Sequence, residues 1–346
     1  MRIAFILPAN LCLNGPGNGV RVQAQRQAAA LRRLGHEVLE LSPWDPPDLG
    51  ALDVAQFFIG GYGTEGIEVF LELGLRTLVF APIIDTNEPF WRYRLAARIG
   101  SLHPKLRSVP AVLRTQALRS QVVVVRSQHE RERVISGLGV DPVSDTPVEV
   151  VLNGVDPPEP ADPAVARSAY DLPEAYLLHV SRYSDPRKNV AALVRAVGPL
   201  GLPLVIAGDP QYADRLERLK QLAAPYSAIR ILGHQSQEML NSLYAGCRVF
   251  CLPSTHEGTG LAALEAAAYG AGVVITRNGG PPDYFGSFAR YVDPGDVASI
   301  SNAVRSAWDD PQGEALREHV LTNLSWEASA RSLVKAYEVA IERRRR

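Results

Sequence analysis

Cysteine is scarce in this chain of 346 residues, which has only Cys12, Cys247 and Cys251. So small and odd a set excludes a disulfide framework and points to reduced, buried thiols. No further Cys or His stands near Cys247 and Cys251 at a ligand spacing, so no metal site is expected. Long apolar runs are missing as well: none approaches the roughly 18–20 residues needed to cross a bilayer. The opening Met1-Arg-Ile-Ala-Phe-Ile-Leu-Pro8 is too short, and broken by Pro8, to serve as an export signal. It reads as a first β-strand, and a cytoplasmic location is expected. Charge of one sign is not in excess either, with 36 Lys and Arg against 37 Asp and Glu. That balance removes any general attraction to nucleic acid.

What is present is an alternation. Short β-branched runs (Ile3–Leu7, Val38–Leu41, Val54–Phe58, Thr77–Phe80, Val122–Val125, Val148–Leu152) occupy the first half, with an amphipathic helix over Val20–Leu34. The second half repeats the rhythm. Its strands are Leu177–Val180, Leu204–Ala207, Ile229–Leu232, Val249–Leu252, Val273–Thr276 and Arg290–Val292. Its helices are Asn189–Val197, Tyr212–Ala223, Gln237–Ala245, Leu261–Tyr269 and Val297–Trp308. Nearly all-apolar strands alternating with helices predict parallel sheets covered on both faces. Length and repetition predict an α/β chain of two Rossmann-like domains of about 150–170 residues each. The Pro-rich run from Asn153 to Pro163 marks the join. Ligands of such sheets bind at the carboxyl ends of strands, so a site in a central cleft between the domains is expected.

Three segments carry chemistry. Glu257-Gly-Thr-Gly-Leu-Ala-Ala-Leu-Glu265 lies between a strand and an Ala-rich helix. Gly258 and Gly260 allow close backbone approach, and the helix beginning near Leu261 offers unpaired N–H groups to a phosphate. Glu265, about one turn in, can accept two hydrogen bonds from neighbouring hydroxyls such as those of a ribose. Two glutamates at that spacing mean little alone; their strand, glycine loop and helix context gives them weight. Arg182 and Lys188 share the loop Ser181–Asn189 and could converge on a diphosphate, offsetting charge on a leaving group without a metal ion. An exposed basic loop is the competing reading. Asn14-Gly-Pro-Gly-Asn-Gly19 is a glycine-rich turn without the third glycine of a dinucleotide fingerprint, equally a plain turn or a phosphate cradle.

Together these segments resemble the retaining glycosyltransferases of family 4, which have the GT-B fold. The resemblance runs through Glu257 and Glu265 within His256–Gly270, the donor loop Ser181–Asn189, Asn153-Gly-Val-Asp156, the turn and helix over residues 18–38, and Leu324-Ser-Trp-Glu327. It implies an N-terminal acceptor domain (1–155), a C-terminal nucleotide-sugar donor domain (156–325) and a final helix (326–346) that returns to the first domain. Arg182 and Lys188 would hold the donor diphosphate, and Glu257 would touch the transferred sugar. Gly258, Gly260 and Leu261 would meet sugar or phosphate, Glu265 the ribose, Gly233 the base and Gly19 the phosphate from the first domain. Transfer would proceed with retention, using a nucleoside-diphosphate sugar as donor substrate and no cofactor or metal. The chain departs from the family at Thr259, Ala262, Asp283 and Asn18. It also lacks a His in Ala81–Glu88, where Asp85 is the candidate acceptor-side substitute.

Residues 89–120 combine Phe90, Trp91, Tyr93 and Leu95 with several Arg and no acidic residue. Such a stretch can lie on an anionic membrane surface, suiting a lipid-linked acceptor at the inner face of the membrane, or can be a solvated helix face or a groove for an anionic acceptor. A glycan and a small molecule are the other acceptor classes expected. The seven histidines form no cluster; His256 adjoins Glu257, where a packing or loop role outweighs acid–base chemistry. A non-catalytic GT-B protein that binds a sugar nucleotide or a partner is the alternative function.

Overall fold

The computed structural model describes residues 1–8, 19–40, 48–58, 72, 74–75, 77–84, 86–210 and 212–345. The turn over 14–18 and the candidate Asp85 lie outside them. The chain divides into two compact units, Met1–Gly154 with Trp326–Arg346, and Val155–Ser325.

The first unit holds a parallel six-stranded sheet in the order β2-β1-β3-β4-β5-β6. Its strands are β1 (Arg2–Ile6), β2 (Glu37–Glu40), β3 (Val54–Phe58), β4 (Leu78–Ala81), β5 (Val122–Val125) and β6 (Val148–Val150). β3, β4 and β5 are buried at every position, as strands covered on both faces must be. Helix α1 (Gly19–Arg33) turns Gln27, Ala28 and Leu31 inward. The stretch 89–120 is not one amphipathic helix. It forms α2 (Phe90–Gly100) and α3 (Val109–Leu118), two helices in contact with a short 3-10 turn at Pro104–Leu106 between them. Gly100 lets the pair close, because a Cβ there would stand 2.6 Å from the Ala111 Cβ. Ser108 caps α3 by accepting from the Ala111 N–H. Next, α4 (Gln128–Glu132) widens into a π turn over Arg133–Leu138.

The second unit has its own parallel sheet, ordered β12-β11-β10-β7-β8-β9. These strands are β7 (Leu177–Val180), β8 (Leu204–Ala207), β9 (Ile229–Ile231), β10 (Val249–Leu252), β11 (Gly272–Thr276) and β12 (Arg290–Val292). α5 (Pro163–Tyr170) precedes them; α6 (Val190–Val197), α7 (Ala213–Ala223), α8 (Gln237–Gly246), α9 (Leu261–Ala268) and α10 (Pro281–Phe285) run between them; α11 (Val297–Asp309) and α12 (Gly313–Asn323) follow. β7 pairs with β8 on one side and β10 on the other. The connections therefore run in opposite directions from β7, and the gap between the β7 and β10 ends is a topological switch point, where open α/β sheets bind ligands. Cys247 and Cys251 are buried and unpaired.

The final helix, α13 (Trp326–Arg345), packs in the first unit. Leu333 and Tyr337 are fully buried, Ser329 accepts from Gln27 at 3.2 Å, and Glu327 accepts from Arg33 Nε at 2.8 Å.

Candidate functional site

The loops after β7 and β10 meet at that switch point. Asn189, in the left-handed region at φ 55°, ends the first loop. Its side-chain amide donates to the carbonyls of Pro253 and Pro294 at 3.1 and 2.8 Å, and Thr255 N–H donates to the Arg187 carbonyl at 2.8 Å. These ties carry Lys188 across to Glu257. The Lys188 ammonium donates to Glu257 Oε1 at 2.6 Å, and the two side chains are only 14% and 7% exposed. Arg187 reaches the same loop, donating to the His256 carbonyl at 3.3 Å. Burial alone would raise the Glu257 pKa; the charges of Lys188 and Arg187 outweigh it and hold the carboxyl below its ordinary value. Glu257 is therefore a buried carboxylate at neutral pH.

A third loop braces Glu257 from behind. Its N–H donates to the Asn278 carbonyl at 3.1 Å, and its carbonyl accepts from Gly280 N–H at 2.9 Å. A Cβ on Gly279 would lie 2.0 Å from the Glu257 carbonyl oxygen, so only glycine fits there. Gly260 caps α9 at φ 83°, and its missing Cβ would stand 2.9 Å from Ile275 Cδ1. The first N–H groups of α9 thus open beside Gly258 and Leu261, a geometry suited to an anion. Further along α9, Glu265 Oε2 accepts from the hydroxyl of the buried Tyr244 at 3.0 Å. Gly233 follows β9, and its carbonyl accepts from Gly208 N–H at 3.2 Å. Lys188, Gly233, Glu257 and Gly279 follow β7, β9, β10 and β11, and so lie on the carboxyl side of the second sheet.

Lys188 and Glu257 therefore touch, and Glu265, Gly258, Gly260 and Leu261 share one loop and helix with Glu257. Arg182 is exposed, and its guanidinium forms no hydrogen bond or ion pair among the described residues. His256 is buried, 3% exposed, as a packing role requires. Gly19 is the first residue of α1 in the other unit.

Three residues of this site escaped sequence reasoning: Arg187, Tyr244 and His179. The last had a visible signal, a lone His in an otherwise apolar strand. His179 is fully buried and its pKa is pushed down to about 4, first by burial. The neutral ring donates from Nδ1 to the Cys251 carbonyl at 2.7 Å and accepts at Nε2 from the Ser181 hydroxyl at 2.6 Å. It ties β7 to β10 and fixes the first residue of the Arg182 loop.

Two parallel Rossmann-like units and a closing helix make this a GT-B fold. Residues 165–323, which lie within the second unit, match the model of the family described as Glycosyl transferases group 1. An O-antigen chain mannosyltransferase B of Escherichia coli is 31% identical over 195 residues, covering 53% of this chain and 51% of the relative. A D-inositol 3-phosphate glycosyltransferase of Mycolicibacterium gilvum is 30% identical over 233 residues, covering 63% of this chain and 52% of the relative. The chain thus spans about half the length of these curated relatives. Among solved structures, sucrose-phosphate synthase of Thermosynechococcus elongatus matches with a TM-score of 0.76 at 18% identity, over 98% of both chains. HepE of Anabaena, in complex with UDP and glucose, matches with a TM-score of 0.67 at 16% identity, over 97% of this chain and 99% of that one. At such identities these structures speak for the fold.

Proposed function

We propose that the chain is a glycosyltransferase that takes a sugar from a nucleoside-diphosphate sugar, with retention and without a metal ion. The observation that carries this reading is the meeting of Lys188 and Glu257 at the switch point, beside the open end of α9. Lys188 and Arg182 would take the diphosphate, the α9 N-terminus a phosphate or sugar oxygen, and Glu265, oriented by Tyr244, the ribose hydroxyls. Glu257 is ionised, so it serves as a hydrogen-bond acceptor for the transferred sugar rather than as an acid. The leaving phosphate would accept the acceptor's proton on the same face of the sugar, a step that needs no protein nucleophile. The two cations offset the charge growing on that phosphate. The names of the relatives support glycosyl transfer as the reaction class. The acceptor is a glycan, a lipid-linked molecule or a small molecule, and the stretch 89–120 is the part that would meet a membrane; no helix among the described residues is long and apolar enough to cross one.

The test is a thermal-shift screen against sugar nucleotides, followed by nucleotide release from the donor that binds. A ligand of the folded state raises the melting temperature by mass action. Lys188→Ala should lower nucleotide release at least about 100-fold, comparable to removal of an oxyanion-hole donor. Wild-type turnover of that variant refutes the role of Lys188. Donor binding with no transfer to any acceptor supports instead a non-catalytic GT-B protein.

A further inference from the structure

We propose that the outer face of α2 and the turn after it form a docking surface for an anionic lipid bilayer. This deepens the membrane contact named above by fixing the face that meets the lipid, and it is independent of the donor site.

Seven of the twelve exposed large hydrophobics among the described residues fall between residues 91 and 118. Their placement is not random. Trp91, Leu95 and Ile99 are 67%, 50% and 42% exposed and recur at four-residue steps. At 100° per residue they form a stripe about 80° wide. Leu102 and Leu106, 79% and 52% exposed, follow in the turn after the helix. The opposite face of α2 is already used: Tyr93, Ala97 and Gly100 are buried. Gly100 packs against α3, and Tyr93 reaches Gly137 in the π turn. The helix is therefore held by its inner face and leaves a second apolar face in water. Contiguous apolar surface of that kind marks an interaction site.

The charges select the occupant. On the helical wheel Arg92 lies on one side of the stripe and Arg94 and Arg98 on the other, all three exposed. Lys105 and Arg107, also exposed, flank Leu106. Residues 89–120 hold no Asp or Glu. An apolar stripe edged by cations is the pattern of an interfacial helix on anionic lipid, with Trp at the headgroup level and the cations on phosphates. A second copy fits badly, since a two-fold contact would lay this face on itself and oppose like charges.

The experiment is co-sedimentation of the full chain with vesicles of phosphatidylcholine alone and of phosphatidylcholine with phosphatidylglycerol. Cations near an anionic surface contribute on the order of 1 kcal/mol each, so two or three engaged residues predict at least about tenfold stronger partitioning onto the anionic vesicles. That preference should fall as salt is added. Leu95→Glu with Ile99→Glu should reduce the partitioning at least about tenfold while leaving the melting temperature and the donor-induced thermal shift unchanged, since both residues are exposed. No binding to either vesicle, equal binding to both, or a dimer by light scattering that the same double substitution dissolves would each overturn the proposal. A failed donor screen beside intact vesicle binding would strike the transferase reading alone.

Discussion

Lys188→Ala also makes a prediction about stability that needs no substrate. Lys188 and Glu257 form a 2.6 Å ion pair with side chains 14% and 7% exposed. Removing one partner of a buried pair leaves an uncompensated charge and costs about 3–5 kcal/mol; Arg187 remains nearby, so about 3 kcal/mol is expected at neutral pH. The cost must depend on pH. In the wild type the Glu257 pKa lies below the ordinary 4.5. Its ionised form therefore contributes stability that is present above the unfolded pKa and lost as pH falls through the lower folded value. Without Lys188 the carboxyl loses its largest opposing charge, and burial pushes its pKa up. The variant then sheds its buried charge on moderate acidification, while the wild type still keeps its pair. Urea denaturation of both proteins at about pH 7.5 and about pH 4.5 should show the stability gap narrowing by at least ~1 kcal/mol. A gap that stays constant, or widens toward acid, would refute the account of Glu257 as a buried carboxylate held by Lys188.

Two further substitutions probe how the site is held. Tyr244→Phe removes the 3.0 Å hydrogen bond that orients Glu265; donor affinity by calorimetry should fall about 5–10-fold, for about 1–1.5 kcal/mol, and unchanged affinity would remove Glu265 from the ribose. Gly279→Ala would force a Cβ to 2.0 Å from the Glu257 carbonyl at φ 104°; a stability loss of about 2 kcal/mol or more is expected by thermal melting, together with lost nucleotide release, and a wild-type melting curve would show that the loop yields.

The fold was legible because parallel strands advertise themselves. Val122–Val125, Leu177–Val180, Leu204–Ala207 and Val249–Leu252 appear in the structure with the bounds their apolar runs suggest. Burial on both faces leaves no polar alternation to blur their ends. The stretch 89–120 was less legible: its composition signalled one amphipathic surface, whereas the chain breaks around Pro104, and the close approach of α2 and α3 rests on Gly100 meeting Ala111, a packing fact. The same division holds in the site. Residues offering charge or glycine within a short loop, such as Arg182, Lys188, Gly260 and Glu257, could be singled out from local pattern. The residues that place them act at long range. Tyr244 reaches Glu265 across 21 positions, and His179 joins Cys251 across 72.

Lys188 and Glu257 show why that division matters. Separately, each is a plausible ligand for a different part of the donor. Joined across 69 positions, they neutralise one another before any donor arrives. A diphosphate that takes Lys188 must therefore replace a carboxylate it already serves, while a sugar hydroxyl becomes the natural donor to the carboxylate oxygen so released. Diphosphate and sugar would then be recognised together: either alone leaves one buried charge without its partner, and leaving such a charge unpaired is the costly outcome. On this reasoning a nucleoside diphosphate should bind the Glu257→Gln variant at least as tightly as the wild type, because Lys188 no longer has a competing carboxylate.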